Sequence, residues 1–235
     1  MATFGAELDL STVDGTNGFQ ISGEAARDFS GGFSGGVSSA GDVNGDGFDD
    51  LIIGAKGADP NGYESGASYV VFGQATGPIT RVGTATDEFF TGGDFDDFLD
   101  GRGGDDRLLG GSGRDLLIGG LGRDLLIGGA DADRFRFTTP EDSRPGLMQR
   151  DHIRDFEPGL DRIDLSAIDA RPDQAGDQDF TWLGASDFTG SGGELRFRQF
   201  FGATVVSADL DGDARAEFRL ELDSLVALTE ANFLL

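Results

Sequence analysis

Between Gly83 and Arg136 the sequence divides without gaps into six nonapeptides: GTATDEFFT, GGDFDDFLD, GRGGDDRLL, GGSGRDLLI, GGLGRDLLI and GGADADRFR. A period this short dictates stacking of like units. Two of the six are perfect copies of GGxGxDxUx, where U is a large apolar residue. The eighth position is apolar in every unit (Phe90, Leu99, Leu108, Leu117, Leu126, Phe135), and the sixth is acidic (Glu88, Asp97, Asp106, Asp115, Asp124, Asp133). The first set suits an interior and the second a binding edge.

Physically, the first six residues of such a unit turn, with glycine allowing positive φ and close backbone approach. The last three form a short strand with its apolar side chain inward. Two units make one coil, so six make about three coils, roughly 14 Å of stacked parallel strands. So small a stack buries too little apolar surface to hold itself together. A hard cation such as Ca²⁺, which takes about six to eight oxygens, is expected to supply the difference. Turns two repeats apart on one edge can offer the carbonyls of positions two and four and the carboxylate of position six. The candidate metal ligands are therefore Gly93, Phe95 and Asp97; Arg102, Gly104 and Asp106; Gly111, Gly113 and Asp115; Gly120, Gly122 and Asp124; and Gly129, Asp131 and Asp133. Because positions two and four ligate through carbonyls, Phe95 and Arg102 need not abolish a site, although either can strain its turn.

Composition supports a cationic partner. Asp plus Glu number 43 against 18 Lys plus Arg, a formal charge of −25, and this self-repulsion opposes a compact state unless cations bind. Nucleic acid is a poor partner for such a chain. The acids recur beside glycine in fixed phase, unlike the aperiodic runs of a solvated tail or a flexible glycine-rich linker. Cysteine is absent, which excludes disulfides and thiolate metal sites. No window reaches the apolar length of a membrane span. The opening MATFGAELDL lacks the basic start and apolar stretch of a cleavable signal peptide, so export is expected to use another signal.

The nonapeptide block resembles the RTX family of calcium-binding β-roll proteins, and the departures at Thr86, Glu88, Phe95 and Asp131 fall in the edge units, where atypical repeats are expected. Upstream, residues 18 to 73 contain DVNGDGFDD. Its oxygen-bearing residues alternate: Asp42, Asn44, Asp46 and Asp50, with Phe48 offering its carbonyl and Gly47 making the turn. This segment resembles an FG-GAP repeat, the blade unit of integrin-type β-propellers, and the resemblance implies calcium at those five positions. Only one copy is present, so it is either an isolated blade or a remnant of an array. No bidentate Glu stands at position twelve as in an EF-hand, and the flanks, Leu51 to Gly54 and Ser68 to Phe72, look like strands. A metal-free Asx-rich turn is the alternative.

After the roll, DHIRDFEPGLDRIDLSAIDA leads into alternating stretches (FTWLG, GELRFRQF, TVVSADL, AEFRLEL) and a terminal TEANFLL. This region is similar to the C-terminal domain of serralysin-type metalloproteases, the likeness being carried by Asp151, Asp155, Phe156, Gly159, Asp161, Ile163, Asp164 and Leu165. Asp155, Asp161 and Asp164 could close the last roll site, with loop caps and surface pairs as the alternatives. Asp209, Asp211, Asp213 and Glu217 have DxDxD spacing without the glycine after the third acid, leaving calcium occupancy there open.

The chemistry of a complete protease is missing. Serralysins need an HExxH-type zinc helix with further histidines, and this chain has one histidine, His152. His152 beside Asp151 reads as structural. The GxSxG at Gly32, Ser34 and Gly36 lacks the strand before it and the helix after it that a nucleophile elbow requires.

The expected architecture is all-β: an FG-GAP-like antiparallel blade over residues 1–82, a parallel β-roll over 83–137, and a serralysin-like β-rich domain with a secretion signal over 138–235. The expected function is that of a secreted, extracellular, calcium-binding module without catalysis, folding on calcium after passage through a type I exporter. An accessory module of a secreted protease or polysaccharide-modifying enzyme is the alternative. A polysaccharide or cell-surface ligand, held by exposed aromatics such as Trp182 and Tyr63, is compatible with both.

Overall fold

The computed structural model describes residues 18–22, 36–44, 48–55, 67–73 and 77–235. The chain divides into two compact units, Met1–Ala75 and Thr76–Leu235.

In the first unit, β1 (Gly18–Ser22), β2 (Val37–Gly41), β3 (Asp50–Ala55) and β4 (Ala67–Val71) form an antiparallel sheet in the order β1-β4-β3-β2. The strands expected at both flanks of the acidic loop are β3 and β4. Ser68 and Val70, two apart on one face of β4, are buried, and Ala67 at the strand's start is buried on the other.

The second unit is the roll and its continuation. Four short strands, β5 (Thr80–Val82), β7 (Phe98–Asp100), β9 (Leu116–Ile118) and β11 (Arg134–Arg136), stack in parallel on one side. On the other side lie β6 (Phe89–Gly93), β8 (Arg107–Ser112) and β10 (Leu125–Ala130). In the register Phe89 faces Arg107 and Arg107 faces Leu125, so one coil is two nonapeptides. The alternation then places Leu99, Leu108, Leu117, Leu126 and Phe135 inside with no exposure at all, and Phe90 packs partly buried at the open end. Downstream strands extend both sheets. β13 (Arg162–Asp164) and β18 (Phe233–Leu234) lengthen the first to six strands. β12 (His152–Ile153), β17 (Phe218–Leu222), β16 (Ala203–Asp209), β15 (Glu194–Phe200) and β14 (Thr181–Gly184) lengthen the second to eight.

A single apolar core therefore runs from the repeats through Ile153, Ile163, Leu195, Val206, Phe218, Leu220 and Phe233. Trp182, expected to be exposed, is instead half-buried: it stacks on Phe197 at 5.9 Å and 10° and tilts against Phe233 at 5.0 Å. Burial of a large ring outweighs its availability to a ligand. Tyr63, Gly32 and Ser34 lie outside the described residues.

Candidate metal centre

Each coil presents a turn on either edge of the roll. Along one edge the structure brings together Gly93, Phe95 and Asp97, then Gly111, Gly113 and Asp115, then Gly129, Asp131 and Asp133. Along the other it stacks Arg102, Gly104 and Asp106 against Gly120, Gly122 and Asp124. The positive φ demanded at positions two and four is met by Gly111, Gly113, Gly120, Gly122, Gly129 and Gly104, and also by Arg102 (67°) and Asp131 (78°). The two non-glycine residues adopt the left-handed backbone at a steric cost.

The sixth-position carboxylates link the coils. On the first edge Oδ1 of Asp97, Asp115 and Asp133 accepts from the backbone N–H of Ile79, Asp97 and Asp115, at 2.8, 2.8 and 2.9 Å. On the second, Oδ1 of Asp106 and Asp124 accepts from Glu88 and Asp106 at 2.7 and 2.8 Å. Both ladders run on past the repeats. Asp161 Oδ1 accepts from Asp133 N–H at 3.0 Å, and Asp151 Oδ1 from Asp124 N–H at 2.8 Å. The Glu88 carboxylate stays out of the ladder, turned back on the hydroxyls of Thr84 and Thr86. A second set of bonds runs the other way: Oδ1 of Asp87, Asp96 and Asp105 accepts from the N–H of Asp105, Arg114 and Arg123 in the next coil.

The remaining oxygens fit a hard cation. Oδ2 of Asp106, Asp115, Asp124, Asp133 and Asp151 is buried without a hydrogen-bond partner, an arrangement costly for a carboxylate unless a cation satisfies it. The glycines make room for it. A Cβ on Gly110 or Gly119 would lie 2.2 or 2.3 Å from Oδ2 of Asp115 or Asp124. A Cβ on Gly111, Gly120, Gly122 or Gly129 would lie 1.9 to 2.3 Å from the carbonyl oxygen of Gly93, Arg102, Gly104 or Gly111 in the coil before. The donors gathered on each edge are carbonyl and carboxylate oxygens, the set that suits calcium. Burial pushes the Asp106 carboxyl up to about 6 and those of Asp115, Asp124 and Asp133 up to about 7, with neighbouring acids adding to the rise. Burial also raises the carboxyl of Asp151, with the neighbouring Asp124 adding to the rise.

In the first unit, Asp42 and Asn44 are exposed in the turn after β2, while Asp50 is fully buried at the start of β3. Asp50 Oδ2 accepts from Val43 N–H at 2.7 Å and Oδ1 from Gly73 N–H at 2.8 Å, so its carboxylate closes the loop. Phe48 lies in a bend before β3; Asp46 and Gly47 lie outside the described residues.

The other acidic candidates separate by role. Asp155 caps Gly128 and Gly129. Asp164 caps Ser166 and sits 3.8 to 3.9 Å from Arg134 and Arg136. Carboxylate oxygens of Asp209, Asp211 and Glu217 lie within 4.8 Å of one another, and Ala214, which follows Asp213 where the motif would place glycine, has a positive φ of 63°. Asp209 is spent on the amides of Gly212 and Ala214. His152 Nδ1 lies 3.0 Å from Asp223, and Arg123 reaches its Nε2 at 3.5 Å.

Comparison with known proteins agrees with this geometry. Residues 104–235 match the peptidase M10 serralysin C-terminal family, residues 34–71 the FG-GAP repeat, and residues 82–117 the RTX calcium-binding nonapeptide repeat. Among curated proteins no relative matches. The similar solved structures include two subunits of a mannuronan C5-epimerase from Azotobacter vinelandii. AlgE6R3 is 30% identical, with 69% of this chain and 84% of that one covered and a TM-score of 0.47. AlgE6R2 is 31% identical, with 64% and 92% covered and a TM-score of 0.44. The repeats are calcium-binding repeats, and the matched domains are repeat and C-terminal modules, not catalytic domains. Among the described residues no helix is long and apolar enough to cross a membrane.

Proposed function

The chain belongs, over residues 104–235, to the peptidase M10 serralysin C-terminal family, and from that premise we propose that it is a secreted, non-catalytic, calcium-triggered folding module. The observation that carries this reading is the row of buried, unpartnered Oδ2 atoms at Asp106, Asp115, Asp124, Asp133 and Asp151. Bound calcium supplies the positive charge that lets these carboxylates stay ionised and buried side by side. The residues that hold it are the position-two and position-four carbonyls and the position-six carboxylates of the roll, with Asp151 and Asp161 closing the two edges. Asp42, Asn44, Asp46, Phe48 and Asp50 hold a further ion in the first unit.

Folding then depends on compartment. In low calcium the acidic edges repel and the chain stays open, the state a type I exporter threads. In millimolar calcium outside the cell the coils close. The C-terminal residues support the same order of events, because Phe233 is buried in β18 and Asn232 Oδ1 accepts from Thr229 N–H, so a signal there is readable only before folding. Circular dichroism during a calcium titration tests the reading: strand signal should rise cooperatively with calcium and vanish with chelator. A full β spectrum in chelator would overturn it.

A further inference from the structure

The open face of the sheet formed by β15, β16 and β17 carries a feature that calcium does not explain. In the register Arg196 faces Ser207 and Ser207 faces Arg219, so these three side chains share one face in one row. Arg198 follows two residues on along the same face, and Arg150, immediately before Asp151, reaches the row from the far side. The four guanidiniums floor a cavity of about 410 Å³, within the range of small-molecule sites. In a chain of net charge −25, arginines gathered this way are not a by-product of composition. The register sets Arg196 and Arg219 on either side of Ser207, each one strand away, so the row gathers positive charge around a single serine.

Neighbouring carboxylates offset only part of the charge. Arg150 pairs with Glu221 at 3.1 Å. Arg196 and Arg198 share one exposed partner, Asp187. Among the described residues Arg219 has no ion pair, and burial together with the charges of Arg150 and Arg196 holds its guanidinium below its usual value. Four arginines against two acids leave two positive charges. The Nε atoms of Arg150, Arg196, Arg198 and Arg219 are all buried without an acceptor.

The rim is apolar. Leu147 is 74% exposed, Phe200 50% and Phe201 fully exposed. Phe201 stands at the tip of the β15–β16 hairpin with φ of 47°, a conformation unfavourable for a bulky side chain. The positive φ at Phe201 and Gly202 (93°) is that of a two-residue hairpin turn, and the turn presents the aromatic ring to solvent at the mouth of the cavity.

We propose that this cavity binds a small amphipathic carboxylic acid, the acid group held by Arg219 beside Ser207 and the apolar body covered by Phe200, Phe201 and Leu147. A planar carboxylate matches the guanidinium fork, and the apolar rim gives the remainder of the ligand a dry face. Inorganic phosphate would match the floor alone, and a neutral ligand the rim alone. The acid can be a free organic acid or the terminal residue of a peptide, since both present one carboxylate on an apolar group.

The test is titration of the calcium-loaded full chain, followed by calorimetry and by NMR of the arginine Nε–H signals. The probes are 3-phenylpropionate, its neutral amide, acetate, inorganic phosphate, and the dipeptide acetyl-Leu-Phe with a free or amidated C-terminus. The expected result is saturable binding of phenylpropionate or the free-acid dipeptide, whichever binds more tightly identifying the source, with the amides and acetate at least roughly tenfold weaker. Arg219→Gln should weaken binding roughly tenfold or more, as loss of a charge-assisted hydrogen bond does. Phe201→Gly, which suits the positive φ and leaves the fold intact, should weaken it several-fold. Equal binding of acid and amide, tighter binding of phosphate, no binding at all, or unchanged affinity in Phe201→Gly would overturn the proposal.

Discussion

The backbone N–H of Asp106 donates to Oδ1 of Asp124, one coil further along, at 2.8 Å, while Oδ2 of the same carboxylate is buried without a partner. One oxygen thus joins coils through a hydrogen bond and the other is left for metal. The two roles can be separated by mutation. Asp124→Asn keeps an acceptor for the Asp106 amide and removes the charge. Asp124→Ala removes both and leaves that amide buried and unpaired, at a cost of about 1–3 kcal/mol. Both variants should raise the calcium concentration at the folding midpoint, and the alanine, which also strands the Asp106 amide, should raise it further than the asparagine. His152→Ala should leave the midpoint unchanged, because its partners are Asp223 and Arg123 at the surface. Equal midpoints for wild type and both Asp124 variants would reject the assignment.

The pH response follows from the raised carboxyls. Asp115, Asp124 and Asp133 sit near 7 in the folded chain without metal, against an ordinary value of 3.8. The folded state therefore keeps protons that the unfolded state has already released. Stability of the calcium-free roll is highest below the unfolded value, falls as pH climbs between the two, and has lost this contribution above about 7. Calcium reverses the trend, since its ligands must be deprotonated. Calcium-free protein, open near pH 8, should gain strand signal as pH falls towards 5, and the calcium midpoint should rise as pH falls from about 8 to 6. Circular dichroism after metal-stripping on chelating resin reads the first effect; calcium-free strand signal that rises with pH would contradict it.

What the sequence made legible is what repeats. The inward row from Leu99 to Phe135 and the two-nonapeptide coil follow from a fixed alternation, and both are realised. The period ends at Arg136, and beyond it Asp161 is legible as a closing residue only beside Asp155 and Asp164, while the place of Asp151 in the other ladder is not. Asp151 and Asp161 continue the two ladders from 27 and 28 residues after Asp124 and Asp133, not 18, because extra residues are looped out between coils. The arginine floor is hidden for a different reason. Arg196 and Arg198 show their shared face in RFRQF, but their meeting with Arg219 depends on strand register, which no local pattern encodes. Trp182 is a third case, since composition does not say which aromatic rings find Phe197 and Phe233 to lie against.

The role of Asp151 is directly testable. It is fully buried, offers one oxygen to Asp124 N–H, and leaves Oδ2 unpartnered like the repeat aspartates. Asp151→Asn should raise the calcium midpoint as Asp124→Asn does and lower the number of ions bound in calorimetry. An unaltered stoichiometry and midpoint would make Asp151 a hydrogen-bonding cap only.

Arg102 separates backbone ligation from side-chain ligation. It occupies position two with φ of 67°, where glycine carries no steric penalty and other residues lose about 1–2 kcal/mol. Its side chain is exposed and its carbonyl faces Gly120 in the next coil. Arg102→Gly therefore removes strain while keeping the carbonyl in place, so the calcium-loaded protein should melt about 2–4 °C higher with an unchanged number of bound ions. Gly120→Ala does the opposite. Its Cβ would lie 2.2 Å from that same carbonyl oxygen and its φ is 93°, so the coils must part at the point where the oxygens converge. That variant should lose several degrees of melting temperature and require more calcium to fold. If Arg102→Gly instead weakened calcium binding, the arginine side chain would be acting at the site, and carbonyl ligation at position two would be wrong.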